Sequence, residues 1–217
     1  MSSRDKILNA LKANRPPFPE AAPRPDDYLP VTAVDPSDLL GRFKAELEKL
    51  TGKVYLCDSE ADGTAVIKQI IGTDKQVIAW GALSLAGLQE ALLTDGIEIV
   101  TPLIKGEDRR AALQTIEPIR VGITGADAGL ATTGSLVMIT NDDQGRLPSL
   151  MPPVHIAILR KERLYANLEA WIAAQGRDAL AASNSITVIT GPSRTGDIEM
   201  MIVLGVHGPG AVHVVIV

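Results

Sequence analysis

A chain of 217 residues with 46% apolar and 22% charged residues has the make-up of a globular protein, too apolar for a disordered one. Its 21 basic and 26 acidic residues leave a net charge of −5, and only two Trp, three Tyr and two Phe are present. Those counts exclude a basic nucleic-acid-binding face and a base-stacking platform. A single cysteine, Cys57, excludes an internal disulfide and any thiolate-held cluster or zinc site.

Residues Ser3 to Asn14 predict a short helix, with Ile7, Leu8 and Leu11 on one side. From Arg15 to Pro36 there are seven prolines in 22 residues, which no helix interior or sheet centre accommodates, so an extended connector is expected. The predicted organisation is an arm over 1–14, a connector over 15–36 and one α/β domain over 37–217. Met1 to Pro17 holds Arg4, Asp5, Lys6 and Lys12 and lacks an apolar stretch of signal-peptide length. The longest uncharged apolar run, Met200 to Val217, is broken by Gly205, Gly208, Pro209 and Gly210, so no membrane insertion is expected. With one cysteine, these features predict a cytoplasmic protein.

The body opens with Asp35 as a helix cap and Pro36 at the first helical position; Leu39, Leu40, Phe43, Leu47 and Leu50 then form one apolar face. Strand-like Val54–Cys57, Gln76–Trp80 and Ile97–Val100 alternate with helical Ala61–Ile71, Leu85–Leu93 and Asp108–Ile116. That alternation predicts βαβ units and helices on both faces of a sheet. Further on, strand-like runs crowd together at 128–132, 135–140, 154–160, 186–190 and 212–217. Helices are expected at Arg163–Gln175, with Leu164, Leu168, Trp171 and Ile172 inward, and around Asp197–Leu204. The predicted class is α/β: three layers, with a mixed, mostly parallel sheet.

Three segments have the residue types for chemistry. Gly122 to Gly129, running on to Thr132-Thr133-Gly134-Ser135, combines close-approaching amides with hydroxyls suited to anionic oxygens, which nominates Thr124, Thr133, Gly134 and Ser135. A tight turn feeding a hairpin at Thr133-Gly134 is the alternative reading. In Gly191 to Glu199 a strand is expected to run into a turn that opens a helix, whose first amides attract anions. Ser193, Arg194 and Thr195 would then hold a ligand, and Asp197 and Glu199 would supply carboxylates. His207, in the turn Gly205 to Gly210, is placed to transfer a proton near neutral pH or to sit as a cation at a helix end. His155 and His213 read as structural residues. Arg146 to Leu150 reads as a loop, and three scattered histidines predict no metal site.

Together these segments resemble the lactate-utilisation protein C family, the LUD domain family. The resemblance rests on Gly122–Asp127, Ala131–Leu136, Leu147–Ile156, Gly191–Glu199 and Leu204–Pro209, and covers most of the body. It implies a fold like that of ribose-5-phosphate isomerase and the CoA transferases (NagB/RpiA/CoA transferase-like). It also implies a part in oxidising L-lactate to pyruvate, together with two partner proteins that carry iron–sulfur clusters. A chain with one cysteine fits a partner-dependent role, binding a small anionic ligand and no resident cofactor. Thr132 stands where the family usually has glutamate, and Gly196 where it commonly has alanine. The alternative is a stand-alone enzyme of acyl-transfer or sugar-phosphate-isomerase type, with Glu199 as nucleophile or base and Arg194 stabilising the oxyanion. A nucleotide-using ligase ranks last, because no Gly-Lys-Ser/Thr loop is present.

Overall fold

The computed structural model describes residues 2–14, 34–102, 109–183, 185–196 and 202–217. The chain forms two compact units, Met1–Ala33 and Val34–Val217. In the first, α1 (Ser3–Ala13) starts at a capping box: the Ser2 hydroxyl accepts the Asp5 N–H, and the Asp5 carboxylate accepts the Ser2 N–H. None of its residues is buried, and Ile7 and Leu11 are 61% and 64% exposed.

The second unit begins with two caps in series. Asp35 accepts the Ser37 N–H and opens a 3-10 turn at Pro36–Asp38; Asp38 then accepts the Gly41 N–H and caps α2 (Leu39–Lys49). There follow β1 (Lys53–Leu56), α3 (Glu60–Ile71), β2 (Gln76–Ala79), α4 (Leu88–Thr94), β3 (Glu98–Val100) and α5 (Arg109–Ile116). Each corresponds to an element expected from periodicity. Next come β4 (Val121–Gly125), β5 (Ala128–Leu130), β6 (Ser135–Thr140), α6 (Leu147–Leu150) and β7 (Val154–Leu159). After a 3-10 turn at Lys161–Arg163 the chain forms β8 (Leu164–Tyr165), α7 (Leu168–Trp171), a π-helical turn at Ile172–Gly176 and α8 (Arg177–Ala182). It ends with β9 (Ser185–Ile189), β10 (Arg194–Gly196), β11 (Ile202–Leu204) and β12 (Ala211–Ile216).

Six strands make an all-parallel sheet in the order β1-β12-β7-β4-β2-β3. Side chains alternate across it, as strand geometry requires. On one face Val77, Ala79, Val121, Ile123, Ile156, Ile158 and Val215 pack with Ile67 and Ile71 of α3 and Leu88 and Leu92 of α4. On the other, Ala157, Leu159, Val212, Val214 and Ile216 meet Phe43 and Leu47 of α2. Ile78 on that same face meets Ile116 of α5 and Ile119. Each such fully buried Leu, Ile or Phe contributes about 1.5–3 kcal/mol, so the three-layer arrangement follows from apolar stripes on both sheet faces. The architecture is the expected α/β class; among the described residues the antiparallel pairings lie outside the six-stranded sheet, alongside one further parallel pair, β5 with β8. The antiparallel pairs belong to a four-stranded sheet, β8-β5-β6-β9, and to a two-stranded ribbon, β10-β11.

Four expectations are corrected. The turn expected at Thr133-Gly134 joins β5 to β6, but the glycine-rich Gly122–Gly125 stretch, expected to offer ligand-approaching amides, is a buried central strand. Gly122 is required there because a Cβ would fall 1.8 Å from the Pro148 carbonyl oxygen, where α6 crosses the strand. Arg146 to Leu150 contains that helix rather than a plain loop. The helix expected from Arg163 begins only at Leu168; Trp171 points inward, whereas Leu168 and Ile172 are 40% and 48% exposed. Last, of the helix expected around Asp197–Leu204, residues 197–201 lie outside the described residues, and Ile202–Leu204 is a strand paired antiparallel with β10, with Arg194 opposite Leu204 and Gly196 opposite Ile202. Among the described residues no helix is long and apolar enough to cross a membrane.

Candidate functional site at the carboxyl rim of the parallel sheet

β7, β4 and β2 are neighbours, and their carboxyl ends lead into Arg160, Ala126 and Trp80. After β2 the chain passes to α4 on one face. After β4 it passes to the other, where Ala126 and Ala131 join the α2 cluster. Departures to opposite faces leave a crevice between neighbouring strand ends, the place where open parallel sheets bind ligands. Here the crevice has a volume of about 140 Å³ and is lined by Trp80, Ala82, Ser84, Gly125, Ala126, Asp127, Gln144, Arg160 and Arg163. A larger hollow of about 490 Å³, beyond the ends of β2 and β3, shares Ala82 and Gln144 with it and adds Gly81, Thr101, Asn141 and Asp143.

Each wall is fixed by a specific bond. The Ala126 N–H donates to Ile158 O of β7 at 2.8 Å, and the next N–H, of Asp127, donates to Val137 O of β6 at 2.9 Å. The chain therefore changes sheets at Asp127, which places that carboxylate at the corner. Its Oδ2 accepts the Ile139 N–H at 2.7 Å. Burial pushes the Asp127 carboxyl above the usual carboxylate range, and the Ile139 N–H and the Arg163 cation pull only partly against it. Trp80, 4% exposed, donates its indole N–H to Gly145 O at 2.8 Å, fixing its ring against the strand end. A Cβ on Gly125 would lie 3.3 Å from Ser84 Oγ and 3.5 Å from the Trp80 ring, so the missing side chain is part of the space.

Glu60, in the first turn of α3, ties two walls together. Its Oε1 accepts from Arg160 Nη2 at 2.5 Å, and its Oε2 accepts the Ala86 N–H at 2.8 Å. The Arg160 hydrogen bond, then the Ala86 N–H, holds the Glu60 carboxyl below its ordinary range. Arg160 is thus half-buried and oriented, while Arg163 stands exposed at the mouth. Guanidinium groups beside one carboxylate form a polar crevice suited to a small anion bearing a second hydrogen-bonding group.

The residues nominated from sequence lie elsewhere. Thr124 is fully buried, its Oγ1 2.9 Å from His155 Nε2. Thr133 Oγ1 bonds Ser135 Oγ at 2.7 Å, and Ser135 bonds Thr190 Oγ1 at 2.9 Å, beside the carboxyl end of α2. Gly134 adopts φ 63°, and a Cβ there would fall 2.4 Å from the Leu47 amide, so the turn is packed shut on that helix. Ser193 pairs through its backbone with Pro209 and Gly205, Thr195 pairs with Val203, and Arg194 Nη2 donates to Leu50 O at 2.6 Å. The structure therefore gathers Thr133, Gly134, Ser135 and Arg194 around the end of α2. That is a helix carboxyl end, which carries partial negative charge and attracts a cation, the reverse of an anion-binding hollow. His207 is exposed in the turn between two strands, β11 and β12. Asp197 and Glu199 lie outside the described residues. Thr132, at the family's usual glutamate position, donates both its amide and its hydroxyl to Ala166 O.

Of the crevice residues, Gly125 and Asp127 fall within the first glycine-rich segment but were not among the nominated residues. Of Trp80, Ser84, Gln144, Arg160 and Arg163, Arg160 carried a usable signal: a cation standing one residue past a six-residue strand that is apolar but for His155. The fold and rim crevice define a three-layer α/β domain with its candidate site at the carboxyl edge of a parallel sheet. The LUD domain family model matches residues 40–217, and the chain belongs to that family. Over 102 residues it is 40% identical to a Lactate utilization protein C of Macrococcus caseolyticus, spanning 45% of this chain and 43% of that protein. The match to a Lactate utilization protein C of Oceanobacillus iheyensis is 29% identical over 230 residues, 99% of this chain and 98% of the relative. In fold, the chain is similar to the crystal structure of a DUF162 family protein from Deinococcus radiodurans. That match has a TM-score of 0.63 and 19% identity, covering 85% of this chain and 99% of the other.

Proposed function

We propose that this chain serves lactate utilisation in the cytoplasm as a LUD subunit that binds a small carboxylate at the rim crevice and works with iron–sulfur redox proteins. The observation that carries the reading is the convergence of Arg160, Arg163 and Asp127 on one crevice between strands that lead to opposite faces. Its volume of about 140 Å³, against roughly 300–1,000 Å³ for drug-sized ligand sites, suits a molecule of few heavy atoms. The names of the relatives point to lactate, a small 2-hydroxy carboxylate. One buried cysteine leaves cluster-borne electron transfer to partners.

Calorimetric titration with L-lactate and pyruvate tests the ligand half. Arg163→Gln should weaken binding about tenfold, the scale of one charge-assisted hydrogen bond. Because Arg163 is exposed, its replacement should leave the unfolding midpoint unchanged. Unaltered affinity in both Arg163→Gln and Arg160→Gln would remove the crevice as the site. Affinity purification from lactate-grown cells tests the partner half: iron–sulfur proteins should co-elute, and their absence counts against a subunit role.

A further inference from the structure

The crevice contains more than an anion holder. A site for a bare carboxylate needs cations and amides, and a half-buried carboxylate of its own would repel the ligand. Asp127 nevertheless lines the crevice, fixed by the Val137 carbonyl through its backbone and by the Ile139 N–H through Oδ2. A desolvated carboxylate gains most from a hydroxyl donor, because little water competes for the bond. Arg160, oriented by Glu60, and Arg163 supply the donors on the same walls. Donors for a carboxylate and one acceptor for a hydroxyl therefore sit within a space of about 140 Å³. An acid with a hydroxyl on the carbon next to its carboxylate carries the complement of both in one small molecule.

We infer that Asp127 is a specificity-determining residue: Arg160 and Arg163 hold the ligand's carboxylate while Asp127 accepts a hydrogen bond from the adjacent hydroxyl, so the crevice selects 2-hydroxy acids over 2-oxo and unsubstituted acids. The inference rests on the small-carboxylate reading above and adds the chemistry that distinguishes lactate from pyruvate. A keto oxygen offers only lone pairs to the Asp127 carboxylate and is repelled. An unsubstituted acid leaves Asp127 without a ligand partner. Asn at this position keeps an acceptor for the Ile139 N–H and turns a donor toward the ligand, so the preference should reverse.

The experiment is calorimetric titration of the full chain at pH 8 with L-lactate, pyruvate and propionate. Wild type should bind L-lactate about tenfold more tightly than either of the others, the scale of one hydrogen bond to a charged group. Asp127→Asn should lose about tenfold for L-lactate, gain for pyruvate and change little for propionate. Equal affinities of wild type for L-lactate and propionate would overturn the inference without any variant. An unchanged lactate-to-pyruvate ratio in a folded Asp127→Asn protein would overturn it as well, while leaving the carboxylate site standing. Failure of all three acids to bind wild type would overturn the site reading and this inference together.

Discussion

Strand β7 carries His155 near its start and leads into Arg160 at its end, and the two residues meet opposite fates. His155 is fully buried, with Nε2 bonded to Thr124 and Nδ1 without a partner. Burial, with a smaller contribution from His213, lowers its pKa to about 4. His213 on the neighbouring β12 bonds the Tyr55 hydroxyl through Nδ1 at 3.1 Å, and burial followed by the Lys53 charge lowers it to about 4 also. At the rim, Arg160 is oriented by one carboxylate and still borders open space. Inside the sheet a polar group must find its partner among neighbouring strands or stay neutral; at the rim it can be held at one atom and offered to a ligand at the others.

Acidification should break this comparison from the inside. Both histidines are neutral when folded, whereas the unfolded chain takes up protons below pH 6.5, so stability is full above pH 6.5 and falls as pH drops towards about 4. For His155 the loss is on the order of 3 kcal/mol. Urea midpoints measured from pH 7.5 to 4.5 should fall steeply, and His155→Leu should flatten a large part of that slope; an unchanged slope would mean that His155 is protonated when folded. Next in size, Gly125→Ala should reduce carboxylate affinity about tenfold by filling the space beside Ser84 and Trp80. Its melting temperature should stay within a degree or two of wild type, and full retention of affinity would move the ligand out of the crevice. The smallest effect is expected at Arg194→Ala: a loss of about 0.5–1 kcal/mol from uncapping the Leu50 carbonyl. Small-acid affinity should change less than twofold, and a larger loss would return the ligand to the ribbon.

Much of the fold was legible because helix periodicity survives any context. Phe43 and Leu47, Ile67 and Ile71, and Leu88 and Leu92 each mark a stripe that the structure buries. The central strand β4 was hidden, since Gly122 and Gly125 look like turn residues until α6 and the crevice are seen pressing against them. The ribbon misled for a related reason. Ser193 to Asp197 has the residue types of a helix start, but Arg194 pairs antiparallel with Leu204 instead. Of the candidate site, the segment through Asp127 was visible as unusual, while the roles of Arg160 and Glu60, 100 residues apart, were not.

Composition and period alone determined a one-cysteine α/β protein with apolar stripes to bury, since those properties depend on residue type and local spacing. Which polar residues share a crevice was decided by strand order, because only the passage of the chain after β2 and after β4 to opposite faces opens a gap there. The sign of the surroundings was a tertiary matter too. Arg194 lies against the negative end of α2, and Arg160 lies at a rim where Glu60 holds it in place and part of the crevice stays open.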